Sequence, residues 1–166
     1  MTRAGTGYRI AAVLLLLAVL HFALRPWFGE NSRAAPDLLL LALLVYAIRA
    51  RPGAAAVAGF LVGLVGDALT PVAVGAGAMA HTIVGYLAAW GKAIFFAENL
   101  AVSGGFFLAG TWLRDLLVLL GGGHLQGSQL FWQLVVWSPL KALTTAAVGV
   151  TTLVVFRRWL PVRSAG

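Results

Sequence analysis

The sequence predicts an all-α protein. It reads as a polytopic membrane bundle of six transmembrane helices with both termini cytoplasmic, forming a single integral membrane domain over residues 1–166. Two compositional observations and one pattern carry this. Apolar residues make up 61% of the chain and charged residues 10%, against roughly 45–50% and roughly 25% in soluble domains. Such a chain lacks the polar residues needed to cover a soluble surface and is too apolar to stay disordered. It has no cysteine, which excludes a disulfide scaffold. Its apolar residues gather into six runs, and six spans of about 20 residues use about 120 of the 166 positions. The remainder is tails and short loops, too little for a soluble catalytic or binding domain.

The first run is Arg9–Phe28. Arg3 and Arg9 precede an apolar core as they would in a signal peptide. The core is too long for one, however, and no small-x-small cleavage site comes before the polar residues near Arg25, so it reads as an uncleaved span. The second run, Pro36–Ile48, has only 13 residues, or about 20 Å of helix. To cross about 30 Å of hydrocarbon it would have to start near Ser32. The third and fourth, Gly53–Leu69 and Val74–Trp90, follow the basic turn at Arg49–Gly53 and the Thr70-Pro71 break. The fifth is Leu100–Leu120, closed by Gly121-Gly122-Gly123, and the sixth is Leu130–Phe156. Gly and Pro punctuate these breaks because they suit turns and interrupt helices.

Lysine and arginine placement sets the expected orientation. With the N-terminus inside, Arg3, Arg9, Arg49, Arg51, Lys92, Arg157, Arg158 and Arg163 are cytoplasmic, and only Arg25 and Arg33 are outside. The net charge of +7 is then mostly a topology signal, and nucleic-acid binding is not expected. Trp27, Trp90, Trp132 and Trp159 lie near predicted span ends, where interfacial anchors belong.

Ionisable residues inside a bilayer need partners or water. In this topology Asp37, Asp67, His81, Arg114, Asp115 and Lys141 collect in the outer half of the bundle. Arg114 and Asp115 are consecutive, so they point about 100° apart and should serve different neighbours. The expected pairs are Arg114 with Asp67 and Asp115 with Lys141. The depth of Lys141 has two readings. It is mid-membrane if the last helix begins near Gln129. It is at the outer surface if Phe131–Trp137 is interfacial and the span starts at Pro139, which is the favoured reading. The simplest role for these charges is to hold the helices together. A partner or lipid-headgroup site comes second. A proton or ion relay comes last, because toward the cytoplasmic half only Glu98, in a predicted loop, is acidic. His81 alone reads as a hydrogen-bonded packing residue.

Between lipid-facing helices, close backbone approach replaces hydrophobic drive. Gly59 and Gly63 form a small-xxx-small pair, and Asp67 continues the same face. Ala78, His81, Thr82 and Gly85 mark the fourth span, and Ser103, Gly104, Gly105 and Gly110 the fifth. Enzyme signatures are absent: there is no HExxH, GxSxG or Walker A sequence. No catalytic residue, metal or cofactor is expected.

Residues 36–90 carry a family resemblance. Pro36-Asp37-Leu38-Leu39-Leu40, Tyr46, Gly59-Phe60…Gly63-Leu64…Asp67, Gly75…Ala80-His81 and Gly85-Tyr86-Leu87 together resemble the rod shape-determining protein MreD family. Length, cytoplasmic termini and the basic C-terminus agree, whereas Ala35 stands where many members have Arg, and Lys141 has no counterpart in the pattern. The resemblance implies a non-enzymatic inner-membrane component of the bacterial cell-elongation machinery. Its partners would be the bitopic protein MreC first, then RodA with its transpeptidase and the filament protein MreB, alongside membrane lipids. The family's fold is also similar to the vitamin-binding subunits of energy-coupling-factor transporters. That likeness sets the alternative: a small-molecule binding subunit with a cavity lined by Asp37, Asp67, His81 and Arg114.

Overall fold

The computed structural model describes residues 3–28, 33–69, 75–95, 100–122 and 127–156, and among them there is no strand. The helices are α1 (Arg3–Phe28), α2 (Leu38–Ala47), α3 (Pro52–Leu69), α4 (Ala76–Phe95), α5 (Leu100–Gly122) and α6 (Ser128–Val155). The protein is an all-α helical membrane bundle, in which α3, α5 and α6 are each long and apolar enough to cross a membrane. Trp27, Trp90 and Trp132 are exposed on its surface; Trp159, Glu98 and His124 lie outside the described residues.

α2 is the centre of the bundle. It touches α1, α3, α4, α5 and α6, and every residue from Leu38 to Ala47 except Tyr46 is buried. A helix that is apolar all round belongs inside a protein. At ten residues it is about 15 Å long, half of a hydrocarbon core. The expected extension back to Ser32 is not there: Arg33 and Ala34 form a turn and residues 35–37 are non-helical. Pro36 disfavours helix in the residue before it, and Asp37 is the N-cap, its carboxylate accepting from the Leu40 amide at 3.0 Å. Asp37 therefore stands at the mouth of α2 and not two turns down it. At the other end the Arg49 guanidinium donates to the Val45 carbonyl at 3.3 Å, satisfying one of the helix's unbonded carbonyls.

α3 and α4 make the most extensive contact in the fold. Ala55, Gly59, Gly63 and Asp67 are the buried positions of α3, spaced four apart along one ridge. A methyl group on Gly59 would strike the His81 carbonyl, and one on Gly63 would strike the Ala78 backbone. From the other side, a methyl on Gly85 would strike the Ala55 carbonyl. The two backbones are thus in direct contact. On α5 the buried row is Ser103, Phe107, Thr111 and Asp115, and it packs on α6, where Gly149 makes room for the Phe107 ring and Leu41. Gly105, expected to mark a helix contact, instead faces open space. Buried or half-buried hydroxyls are satisfied one turn back along their own helices: Thr82 on Ala78, Thr111 on Phe107 and Thr152 on Val148.

α6 is continuous over 28 residues, so the break favoured at Pro139 does not occur. Proline has no N–H and its ring crowds the carbonyl four residues back. The chain accommodates it with a π-turn at Gln133–Trp137, in which the Ser138 amide donates to the Gln133 carbonyl five residues back. The next carbonyl, Leu134, would need an amide from Pro139. It accepts instead from the Trp112 indole of α5 at 3.4 Å. Lys141 consequently lies near the middle of one long helix.

Substituting Gly63→Leu should prevent α3 and α4 from closing and lower the thermal unfolding midpoint of the detergent-solubilised protein sharply, since overpacking costs about 1–3 kcal/mol or more. Gly105→Ala, with nothing in its way, should leave that midpoint unchanged or raise it slightly, by up to about 1 kcal/mol of helix propensity.

Candidate functional site

The start of α2 lies inside the bundle, and a helix N-terminus exposes amides with no partner in its own helix. Here side chains from three directions serve them. The Asp37 amide donates to Thr145 Oγ1 of α6 at 3.0 Å, the Leu39 amide to His21 Nδ1 of α1 at 3.4 Å, and the Leu40 amide to Asp37 Oδ1. Thr144 Oγ1 donates to the Ala34 carbonyl at 2.7 Å, fastening the approach to α2 onto α6.

Around this helix start the charges form a closed ring. Asp115 Oδ1 accepts from Arg114 Nη1 at 2.8 Å and from Lys141 Nζ at 3.1 Å. Asp37 Oδ2 lies 3.6 Å from Lys141 Nζ and 3.8 Å from Arg114 Nη1. Each cation therefore touches both carboxylates. Two acids and two bases cancel, which is the arrangement a low-dielectric setting demands. The carboxylates are buried, whereas the side chains of Arg114 and Lys141 keep 20% and 19% of their surface exposed.

The structure brings Asp37, Arg114, Asp115 and Lys141 together and places Asp67 and His81 in other bonds. The expected Asp115–Lys141 pair forms. The expected Arg114–Asp67 pair does not, and Arg114 binds its own chain neighbour instead. Backbone directions 100° apart did not keep these two residues apart, because the long arginine stem lets the guanidinium fold back to Asp115. Asp67 Oδ2 accepts from the amides of Gly75 at 2.8 Å and Ala78 at 3.0 Å. It thus caps α4 from the end of α3, with Gly77 lying directly under the carboxylate. This position favours a negative group, since α4 presents its positive dipole end there. His81 is buried, with Nδ1 2.7 Å from the Gly77 carbonyl of its own helix.

Three contributors were not foreseen as site residues: His21, Thr144 and Thr145. His21 could have been suspected as a histidine in an apolar span. The threonines carried no such signal, since a threonine in a helix commonly bonds its own helix, as most of the described ones do here. Among the described residues no group of three or more His, Cys, Asp or Glu is arranged to hold a metal.

The ring and the cap should respond differently to substitution. Asp67→Asn keeps an oxygen acceptor and should cost little, whereas Asp67→Ala should cost about 1 kcal/mol, as capping losses do. Asp115→Asn removes a shared anion and should cost about 3–5 kcal/mol, with much of it recovered when Lys141→Met is added. Thermal or denaturant unfolding in one detergent checks the order.

No curated protein and no solved structure matches. The family model for the rod shape-determining protein MreD matches residues 6–162, nearly the whole chain and far beyond the 36–90 segment in which the motif was read. The chain belongs to the rod shape-determining protein MreD family.

Proposed function

We propose that this rod shape-determining membrane protein is a non-enzymatic, multi-pass component of the bacterial inner membrane with both termini in the cytoplasm. It binds MreC and, through the elongation complex, helps organise peptidoglycan synthesis by RodA and its transpeptidase in register with MreB. Family membership supports the cell-shape role. The observation that carries the assembly reading is the closed ionic ring. Its acids and bases are spent on one another and on the start of α2, so they fasten a rigid bundle.

The transporter alternative asks for a cavity lined by Asp37, Asp67, His81 and Arg114. Asp37 and Arg114 are instead in ion pairs, and Asp67 and His81 are hydrogen-bonded to backbone. This collapsed geometry favours a scaffold over a ligand receptor.

Affinity purification from native membranes tests the proposal. MreC should co-purify with the wild-type chain and be lost with Asp115→Asn, while a conservative surface change such as Leu143→Ala leaves recovery intact. No recovery of MreC with folded wild-type protein, or stabilisation of the purified chain by a vitamin in a thermal-shift screen, would overturn it.

A further inference from the structure

One ring nitrogen of His21 faces two partners that exclude each other. Nδ1 lies 3.4 Å from the Leu39 amide, from which it accepts, and 3.8 Å from Asp37 Oδ1. The first contact requires a bare lone pair on Nδ1. The second becomes a hydrogen-bonded ion pair only when Nδ1 carries a proton. The carboxylate oxygen concerned is the same Oδ1 that caps the Leu40 amide at 3.0 Å. The other oxygen of Asp37 faces Lys141 and Arg114. His21 sits on α1, which packs chiefly on α2, and its side chain keeps 23% of its surface exposed.

We propose that His21 is a protonation-controlled latch between α1 and the buried start of α2. With a neutral ring, Nε2 holds the proton and Nδ1 accepts from Leu39. When a proton adds to Nδ1, the Leu39 amide loses its acceptor. The ring then donates to Asp37 Oδ1, in competition with the Leu40 cap. The same carboxylate neutralises Lys141 and Arg114, so the state of α1 is transmitted to the ionic ring. Among the described residues, the charged groups near this point are Asp37 before α2, Arg114 and Asp115 on α5, and Lys141 on α6, with His81 of α4 within electrostatic reach of Asp37. The latch requires no partner and stands independently of MreC binding.

Nitrogen NMR of the full chain in lipid nanodiscs, with ¹⁵N-labelled histidine and leucine, tests this between about pH 8.5 and about pH 5. At the alkaline end His21 should show a bare Nδ1 and a protonated Nε2. On acidification Nδ1 should gain a proton while the Leu39 amide signal moves with the same midpoint. Because the chain has no cysteine, spin labels at Leu16→Cys and Leu143→Cys, both at exposed positions, report the placement of α1 cleanly. Their separation should change with that same midpoint. His21→Asn, which keeps an acceptor but cannot titrate, should abolish the change. A protonated Nδ1 at alkaline pH, a ring that does not titrate over this interval, or a label response that persists in His21→Asn would each overturn the latch. If His21→Asn does not fold, the wild-type ring and Leu39 titrations decide the matter alone.

Discussion

A helix that begins inside a bundle must find partners for amides that its own turns cannot reach, and this requirement organises the protein. α2 is short, apolar on every side and enclosed by the other helices. Its first amides therefore open into protein interior, where an unpaired donor is costly. Asp37, His21 and Thr145 meet that demand from three elements. Because Asp37 is an anion, it in turn requires cations, which come from α5 and α6. The ionic ring is the electrostatic consequence of burying one helix start.

Two different physical devices hold the helices. Around Asp37 the attachment is polar, and four charges cancel within 2.8–3.8 Å. Between α3 and α4 it is steric, with Gly59, Gly63 and Gly85 bringing backbone onto backbone. The second suits a setting in which lipid is as apolar as leucine and dispersion must supply the attraction. Asp67 joins the two helices at the end of that seam by capping α4. The polar device also gives α1 its link to the centre: among its described residues Val13 and Leu17 are buried, and the half-buried His21 reaches the start of α2.

These attachments accommodate a local irregularity in α6. Pro139 could not continue an α-helix beside the ionic ring, and α6 widens into a π-turn without breaking. Trp112 then closes the carbonyl that proline cannot serve. α5 and α6 are therefore fastened just outside the ring by an indole, within it by Lys141 and Asp115, and beyond it by the Phe107–Gly149 contact.

Composition and the spacing of apolar runs were sufficient for the class of fold, because the shortage of polar residues is a property of the chain and not of its arrangement. The i, i+4 order of Gly59, Gly63 and Asp67 likewise showed one face of α3, since helical periodicity is local. The motif order over residues 36–90 was enough to suggest the family. What the chain could not reveal by itself was which charges would meet. Arg114 turned to Asp115 and not to Asp67 because the choice depends on how α3 and α5 are placed in the bundle, and long side chains reach in several directions. The length of α2, the continuity of α6 through Pro139, and the parts played by His21 and Thr145 were also decided by neighbours. A buried helix start or a widened turn is stable only when another element supplies the missing donor or acceptor, and that is information only the tertiary structure holds.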